Sequence, residues 1–411
     1  MNRKPFGIPK LLILDAWHQV KKAGGGAGID NVSLKQYEEN LSSNLYKLWN
    51  RMTSGTYFPQ PVKQVAIPKA GGGMRNLGIP TVNDRIAQTV VRLSMEAELD
   101  KAFVPESFGS RPGKSAHQAI EQCRRNCWQY DWAVDIDLKA YFDTIDHQLL
   151  MKAVRKHARQ NWEVLYIERW LKAPVQQVNG VIVAKGECGI PQGGSISPLL
   201  SNLFLHYGLD LWLKREFPRI PFERYLDDCI IHCKTKRQAN FVVSRLKRRL
   251  DEIKLALNEE KTKICYCLDA KRRMHKEEPQ VVFTFLGFDF KPRAMRRKTG
   301  GFALNFTPAV GRKAQKKLRD NLRKTGLARR TDITVEYLAA TWSPIIRGWT
   351  NYFGQFRPSA MQWTLHLINR QIVGWLCRKY RLRTRAAQRR LLRTVQEKPN
   401  LFPHWALGVT R

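Results

Sequence analysis

The sequence predicts an α+β fold, with a body of mixed helices and strands followed by a basic, mainly helical C-terminal part. Helix-like and strand-like apolar periodicities alternate through the first 290 residues, which hold most of the acids. The last 121 residues carry 27 Lys and Arg against four acids. The stretch from Lys291 to Gly301 is basic, glycine-ended and aperiodic, so we place a boundary between 291 and 312. This gives a body over 1–292, with an N-terminal extension to about residue 60, and a domain over 300–411.

Composition narrows the class of protein. With 411 residues, 43% of them apolar, the chain can bury sizeable cores. Its formal net charge of +36 indicates a polyanionic partner. The run Leu11–Leu14 is too short for a signal-peptide core or a membrane span. Eight cysteines without CxxC pairs are typical of reduced thiols and give no zinc pattern. These features predict a cytoplasmic nucleic-acid-binding protein without a membrane partner.

The N-terminal segment predicts two helices and a hairpin. Helical patterns cover 11–22 and 34–52, the latter with Ser33 as its N-cap, and Gly24–Gly28 lies between them as a flexible loop. An alternating strand over 61–68 and a second strand over 75–79 predict a hairpin with a glycine-rich tip. Lys69 and Arg75 flank that tip, where they could clamp a triphosphate or simply face solvent.

The segment from Gly109 to Ser115 narrowly misses a nucleotide-binding P-loop. Three residues separate its glycines where the P-loop needs four, and Phe108 stands where the first glycine belongs. We therefore exclude a P-loop ATPase. Arg111 and Lys114, in a turn that leads into a helix from Ser115, remain candidates for contact with a phosphate backbone.

Carboxylates at two places in the body predict a metal site. Asp135 and Asp137 share one face of a buried strand over 133–138, because side chains alternate along a strand. Asp227 and Asp228 lie at the tip of a second hairpin, over 222–232. Adjacent aspartates are common in turns, but acids that converge from a strand and a hairpin need a cation. An oxygen-only site suits two Mg²⁺ ions about 3.5–4 Å apart, which activate a 3′-hydroxyl and stabilise a leaving pyrophosphate.

Motifs through nearly the whole chain resemble, in the right order, the reverse transcriptases of the group II intron-encoded type. Tyr225-Leu226-Asp227-Asp228 resembles their YxDD box, and the segment from Asp137 to Asp143 resembles their first catalytic motif. Further motifs similar to the family lie at 75–80, 84–85, 108–117, 189–202, 258–262, 285–288 and 342–353. The resemblance implies a right-hand polymerase with fingers, a palm built on an antiparallel sheet with a catalytic hairpin, and an α-helical thumb. It implies RNA-directed DNA polymerase activity in the bacterial cytosol or nucleoid.

The resemblance also implies roles for individual residues. Asp137, Asp227 and Asp228 align with the ligands of two Mg²⁺ ions, for which Mn²⁺ can substitute, and Asp135 is the runner-up to Asp137. Leu138 is predicted to take part in both metal binding and dNTP binding. The other predicted dNTP contacts are Lys69, Arg75, Gln192 and Phe142, the last of which occupies the sugar-gate position that excludes a 2′-hydroxyl. Phe142 could instead be a core residue. Lys261 matches the proton donor to pyrophosphate, with a solvated helix-end lysine as the alternative.

One residue departs from the intron-encoded pattern. Intron-encoded members usually have alanine where this chain has Leu226, whereas free-standing relatives, some linked to DNA repair, have a branched aliphatic residue there. We expect Tyr225 and Leu226 to contact nucleic acid and Leu226 to favour short primer duplexes over rapid processive copying.

The C-terminal part predicts a helical core with a basic surface. Trp342, Ile346, Trp349 and Phe353 recur at helical spacing and predict one apolar face. Little acidic charge lies near the basic residues, which we expect to contact phosphates of a template–primer duplex or structured RNA, although a solvated face is the alternative. The candidates are Arg347, Arg378, Lys379, Arg381, Arg383 and Arg385.

Three functions stay open at this point. The first is a free-standing enzyme that extends a DNA primer on RNA or DNA, for example in break repair. The second is an intron-encoded enzyme that also binds the intron RNA and assists its splicing and mobility. The third is an RNA-binding maturase without polymerase activity, against which the intact aspartate set argues. We expect no appended HNH endonuclease or Cas1-like extension, so that any nicking comes from another protein or from RNA.

Overall fold

The computed structural model describes residues 4–68, 73–272, 280–296 and 300–410. The chain forms two compact units, one of residues 1–123 and 132–264, the other of residues 124–131 and 265–411. Helices and largely antiparallel sheets occur together, which confirms the predicted α+β class. The predicted functional division between 292 and 300 stays a prediction, since compactness and function need not divide a chain at the same residue.

The first unit contains two four-stranded sheets surrounded by helices. Its strands are β1 (Val62–Pro68), β2 (Met74–Ile79), β3 (Trp132–Ile136), β4 (Val175–Gln176), β5 (Ile182–Val183), β6 (Phe222–Tyr225), β7 (Asp228–Cys233) and β8 (Lys263–Tyr266), in whose middle the division between the units falls. Its helices are α1 (Lys10–Ala23), α2 (Leu34–Glu39), α3 (Leu41–Ser54), α4 (Val82–Ala102), the start of α5 (Ala116–Gln129), α6 (Tyr141–Thr144), α7 (His147–His157), α8 (Asn161–Leu171), α9 (Ser197–Leu205), α10 (Leu211–Glu216) and α11 (Lys236–Glu252). A π-helix, His206–Asp210, joins α9 to α10.

The N-terminal helices follow the predicted pattern with one break. Ser33 caps α2 through a capping box, since its hydroxyl accepts from the Gln36 amide while the Gln36 side chain accepts from the Ser33 amide. The single helix predicted over 34–52 is divided at Asn40, whose φ of −122° and ψ of 38° lie outside the helical region. Asparagine favours such breaks because its side chain competes for backbone hydrogen bonds.

The glycine cluster between α1 and α2 is irregular, as predicted, but it is held in place. The Arg85 guanidinium on α4 donates hydrogen bonds to the carbonyls of Gly24, at 2.8 Å, and Gly26, at 3.0 Å. A Cβ atom at Gly28 would lie 2.7 Å from the backbone of Thr81, so only glycine permits this approach. The predicted loop is therefore anchored to α4 and to the residue that precedes it, Thr81.

The two sheets of the first unit place the predicted hairpins. In the first, ordered β2-β1-β4-β5, β1 and β2 pair antiparallel from Lys63 opposite Ile79 to Pro68 opposite Met74, and the tip at 69–72 lies outside the described residues. The second sheet, ordered β6-β7-β3-β8, has β7 antiparallel to both β6 and β3. The hairpins predicted over 61–79 and 222–232 are confirmed.

The second unit combines a three-stranded sheet with a helical cluster. The strands β9 (Phe283–Phe285), β10 (Phe288–Arg296) and β11 (Phe302–Val310) form a sheet in the order β11-β10-β9. The stretch predicted to be aperiodic from Lys291 is thus a strand as far as Arg296, because β10 pairs with β11 along its length. The helices are α12 (Arg312–Lys324), the 3₁₀-helix Leu327–Arg329, α13 (Val335–Phe353), α14 (Ser359–Tyr380), α15 (Thr384–Glu397) and α16 (Pro403–Ala406).

The apolar face predicted for the C-terminal part is confirmed as the core of this cluster. Trp342 and Ile346 on α13 are fully buried with Trp375 on α14, and Trp349 and Phe353 pack partly buried against them. No helix among the described residues is long and apolar enough to cross a bilayer.

Candidate active site

The catalytic hairpin is closed by a tight, strained turn. Tyr225, at the end of β6, pairs with Asp228, at the start of β7, so Leu226 and Asp227 form a two-residue connection. Leu226 has a φ of 57°, whereas Asp227 is not among the residues with positive φ. A positive φ at the first of two turn residues is typical of a type II′ turn, where glycine is usual. A leucine there costs about 1–2 kcal/mol, so contacts around the turn must hold it in place.

Asp137 follows β3 directly and reaches the same end of the sheet. The Asn258 amide donates to the Asp137 carbonyl at 2.8 Å, and the Asp137 amide donates to the Thr262 hydroxyl at 3.3 Å. In the pairing of β3 with β7, Ile136 lies opposite Cys229, and continuing this register places Asp137 beside Asp228. The structure therefore brings together the three acids that the sequence predicts to act in catalysis.

Burial and neighbouring like charges make Asp228, Asp227 and Asp135 hard to ionise. Burial, together with Asp227 and Asp137, raises the pKa of Asp228 to about 7. Burial also raises the pKa of Asp227, although Arg75 and Arg224 oppose that shift. The pKa of Asp135 is likewise raised to about 7, by burial first and by Asp228 second. A divalent cation would relieve this repulsion, and hard carboxylate oxygens suit it, so the donor set fits a metal site.

Lys261 lies next to this cluster. Its Nζ atom is 3.9 Å from Oδ2 of Asp137, and 67% of its side chain is exposed. The residue belongs to a turn after Asn258 rather than to a helix end, and its role as a proton donor stays a prediction beside that of a solvated lysine. Such an exposed pair contributes little to stability, so the ammonium group is free to move towards a bound substrate.

A second group of side chains lies between the first hairpin and the Pro191-Gln192-Gly193 turn. Arg75 on β2 donates from Nε to Oε1 of Gln192, and Gln192 donates from Nε2 to Oδ1 of Asp143 at 3.5 Å. The Gly78 amide also donates to the Gln192 carbonyl at 2.8 Å. These residues line a cavity of about 350 Å³, which Lys185 also lines. Two of the predicted dNTP contacts, Arg75 and Gln192, are thus in direct contact.

The remaining predicted dNTP contacts differ in placement. Phe142 on α6 is partly buried and meets the Tyr141 ring edge to face, at 5.2 Å between centroids, so it is not a fully buried core residue. Leu138 is buried and forms a β-bridge with Leu257, next to Asp137. Lys69 lies outside the described residues.

Arg111 is committed to contacts inside the fold. Its side chain is only 6% exposed and donates from Nε to Asp100, from Nη1 to the carbonyls of Val104 and Ser107, and from Nη2 to the Asp100 carbonyl. This placement argues against the predicted contact of Arg111 with a phosphate backbone, because that contact would break a partly buried ion pair and three hydrogen bonds to backbone carbonyls. Lys114 is partly buried, and its Nζ atom donates to the Pro105 carbonyl at 3.2 Å and lies 4.9 Å from the centroid of the Phe108 ring.

The basic candidates of the second unit fall into two groups. Arg378 and Lys379, at the end of α14, donate to backbone carbonyls: Arg378 to Ala328, and Lys379 to Thr331 at 2.9 Å and Ile333 at 2.7 Å. These two side chains therefore join α14 to the segment before α13. The candidates on the surface are Arg347 on α13, Arg381 and Arg383 between α14 and α15, and Arg385 in the first turn of α15. For these four, phosphate contact stays a prediction.

Sequence reasoning missed two buried charges beside the site. Arg224 on β6 is fully buried against Asp210, at 2.6 Å between Nη2 and Oδ2. Burial lowers the pKa of Arg224, but the charge and hydrogen bonds of Asp210, together with Tyr141 and Cys229, raise it, and the net shift is upward, so the guanidinium stays charged. Lys185 lines the cavity that Arg75 and Gln192 also line, and burial lowers the pKa of its ammonium group to about 8. The pairing of Arg224 was predictable from the sequence, since a charged residue inside a buried strand needs a buried partner of opposite charge.

The fold and the clustered carboxylates define a nucleotidyl-transferring polymerase, and comparison with known families gives its class. Residues 67–290 match the family described as reverse transcriptase (RNA-dependent DNA polymerase), which is more than half of the chain. The chain therefore belongs to the reverse transcriptase family, with the right-hand polymerase fold and RNA-directed DNA polymerase as its enzyme class. Members of this family generally use divalent metal ions.

The relatives narrow the class further. Residues 315–393 match the maturase-specific domain of group II introns. The chain is 33% identical to protein YkfC of Escherichia coli (strain K12) over 280 residues, which cover 59% of this chain and 73% of that protein. It is 33% identical over 231 residues to the group II intron-encoded protein LtrA of Lactococcus lactis subsp. cremoris, covering 55% of this chain and 36% of LtrA. It is also 30% identical over 216 residues to the putative COX1/OXI3 intron 1 protein of Saccharomyces cerevisiae, covering 52% of this chain and 26% of that protein.

These matches confirm the resemblance to group II intron-like reverse transcriptases. The chain spans about three quarters of YkfC but only about a third of LtrA and a quarter of the yeast protein. Template, primer and intron RNA are accordingly the kinds of partner that the family implies.

Proposed function

We propose that this chain extends a DNA primer, on an RNA or DNA template, at a site formed by Asp137, Asp227 and Asp228. The observation that carries the proposal is the convergence of these three carboxylates at one end of the second sheet, where mutual repulsion and burial raise the pKa of Asp228 to about 7. A site that resists ionisation in this way is suited to divalent cations.

The three carboxylates would hold two Mg²⁺ ions, with Mn²⁺ as a substitute. When bound, such ions supply activation of the primer 3′-hydroxyl and stabilisation of the charge that develops on the leaving pyrophosphate. The protein contributes position, because Asp137 is held through its backbone by Asn258 and Thr262. Asp227 and Asp228 are fixed by the hairpin turn, so the acids need little rearrangement when substrate arrives.

The neighbouring side chains would select and orient the nucleotide. Arg75 and Gln192 are already in contact and line a cavity beside Asp143, where the guanidinium can offset triphosphate charge. Phe142, partly buried on α6, would present its ring beneath the incoming sugar and exclude a 2′-hydroxyl. Lys261, exposed and 3.9 Å from Asp137, would give a proton to the leaving pyrophosphate.

For the biological role, we propose a free-standing group II intron-like enzyme, used for example in DNA break repair. Leu226 supports this proposal because a branched side chain at that turn position is typical of free-standing relatives. Assistance to intron splicing and mobility is the second candidate, and the match of residues 315–393 to the maturase-specific domain favours it. Repair and intron mobility would use the polymerase site, whereas assistance to splicing would depend on binding of the intron RNA.

A primer-extension assay tests the enzymatic proposal. Wild type, Asp227→Ala and Asp15→Ala would be compared on RNA and DNA templates, with Mg²⁺, Mn²⁺ or EDTA; Asp15 is an exposed acid on α1 and serves as the matched control. We expect metal-dependent synthesis by wild type and the control, and none by Asp227→Ala. Mg²⁺-dependent synthesis that survives Asp227→Ala would refute the site assignment.

A separate experiment distinguishes the two biological roles. RNA that co-purifies with the protein from its native host would be sequenced, and break-repair junctions would be compared in cells with and without the gene. A folded intron RNA among the bound species, with unchanged junctions, would favour the splicing role. Altered junctions without a bound intron RNA would favour free-standing use.

A further inference from the structure

A single buried guanidinium lies beneath the turn that carries the catalytic aspartates. Arg224 is two residues before Leu226 and fully buried. Nε and Nη2 donate to the two carboxylate oxygens of Asp210, at 2.7 and 2.6 Å. Nη1 donates to the Asn202 side chain and the Leu226 carbonyl, both at 2.9 Å, and Nη2 also donates to the Ser107 hydroxyl at 2.9 Å. Arginine has five N–H donors, and here each has an acceptor.

The acceptors come from separate elements, so the guanidinium joins them. Asp210 ends the π-helix, a wide turn that is rare and often occurs at functional sites. Asn202 belongs to α9, and Ser107 belongs to the segment before Gly109. Only Leu226, the fourth acceptor residue, is part of the catalytic turn itself.

Further contacts join the same elements to the turn. Nδ2 of the Asn202 side chain donates to the Gly109 carbonyl at 2.7 Å, and the Phe108 backbone amide donates to the Arg224 carbonyl at 2.8 Å. A Cβ atom at Gly109 would lie 2.5 Å from the Leu226 amide nitrogen, so glycine is required for this approach. The segment from Ser107 to Gly109 and the turn therefore form one packed assembly.

The hydrogen bond to Leu226 acts at the strained residue. Leu226 holds a φ of 57°, which a leucine avoids unless its surroundings impose it. The Leu226 carbonyl belongs to the peptide unit that joins Leu226 to Asp227. The hydrogen bond from Arg224 fixes the orientation of this peptide unit and so the direction of the Asp227 side chain. We propose that Arg224 is a positioning residue, held by Asp210, Asn202 and Ser107, that orients Asp227 and Asp228 to bind metal. This inference rests on the proposed role of those aspartates as metal ligands.

Arg224→Lys and Ser107→Ala test the inference, the first as a large change to the hydrogen bonds around the turn and the second as a small one. Lysine keeps the positive charge near Asp210 but lacks the planar set of donors. Ser107→Ala removes one acceptor and leaves the ion pair. Ser94→Ala is the matched control, because its hydroxyl donates to the buried carboxylate of Glu163 at 2.6 Å, away from the catalytic turn. For each variant we would measure the half-saturating Mg²⁺ concentration in primer extension and direct Mn²⁺ binding by electron paramagnetic resonance. Thermal unfolding would report the folded fraction.

A purely structural role would lower the folded fraction without changing metal affinity. For Arg224→Lys we expect metal affinity to fall by about 10–100-fold, as for partners that orient metal ligands elsewhere. Ser107→Ala should weaken affinity less, and Ser94→Ala should leave it unchanged. Wild-type metal affinity in folded Arg224→Lys would overturn the inference. If Arg224→Lys does not fold, unchanged affinity in Ser107→Ala would overturn it.

Direct Mn²⁺ binding separates this inference from the proposed function. If wild type binds Mn²⁺ without polymerising, and the Arg224 and Ser107 variants bind it more weakly, the positioning role stands while the polymerase proposal fails. If wild type binds no Mn²⁺, the assignment of the aspartates is wrong and the inference falls with it.

Discussion

Asp135 carries a charge that opposes folding when no metal is bound. It lies in β3, on the face it shares with Asp137, and its pKa is raised to about 7 by burial and by Asp228. Lys263 opposes the shift but does not cancel it. We expect Asp135→Asn to stabilise the metal-free protein, because asparagine keeps the shape of the side chain without a charge to desolvate.

The magnitude and its sign follow from proton linkage. The folded carboxyl keeps its proton up to about pH 7, whereas the unfolded carboxyl loses it near pH 4, so stability is lost as the pH rises through this window. This difference in pKa lowers the free energy of unfolding by about 4 kcal/mol at pH 8. About 2 kcal/mol of that loss has already occurred at pH 5. Residual solvent contact screens part of this cost. We therefore expect Asp135→Asn to raise the free energy of unfolding at pH 8 by about 2 kcal/mol more than it does at pH 5.

Urea unfolding in EDTA at pH 5 and pH 8 measures this difference. Asp15→Asn, on the exposed side of α1, provides the control and should change stability little at either pH. An equal gain for Asp135→Asn at both pH values, or a loss at pH 8, would show that Asp135 does not carry the proposed charge penalty.

Four further predictions concern activity and binding. Asp137→Asn should abolish primer extension while Asp135→Asn retains it; the reverse result would make Asp135 the metal ligand. Phe142→Ala should lower the preference for dNTPs over rNTPs by about 10-fold or more, and an unchanged ratio of the two kcat/KM values would exclude the sugar-gate role. Leu226→Ala should alter the use of short primers relative to extension along long templates, as measured by product lengths, and a constant ratio would contradict that role. Arg385→Ala should reduce the slope of log affinity against log salt by about 1 for a template–primer duplex; an unchanged slope would remove Arg385 from the interface.

Local patterns predicted the catalytic hairpin and the strand beside it well. The alternation around Asp135 and the turn at Asp227 depend on residues that are neighbours in the chain, and strand periodicity makes their faces predictable. The same reasoning failed for the stretch from Lys291 to Arg296, where β10 pairs with β11. This basic segment shows no strand-like alternation, because pairing with a neighbouring strand can impose an extended conformation that local propensity does not indicate.

Local sequence did not indicate the contacts of single charged side chains. Arg111 stands in a basic turn, and its charge alone favoured a surface role, yet its guanidinium is buried against Asp100 and the backbone carbonyls of Val104 and Ser107. Arg378 and Lys379 similarly donate to backbone carbonyls within the second unit. Whether a cation faces phosphate or protein depends on which acceptors the fold brings near, and those acceptors are remote in sequence.

The sequence by itself determined the kind of chemistry, since acids at fixed spacing within apolar strands need a cation wherever those strands meet. It also determined the charge of +36 that calls for a polyanion. Only the tertiary structure decided which charges serve that partner and which hold the protein together. Arg224 makes this plain: its acceptors Asn202 and Ser107 lie 22 and 117 residues away along the chain, and burial makes each of those hydrogen bonds necessary.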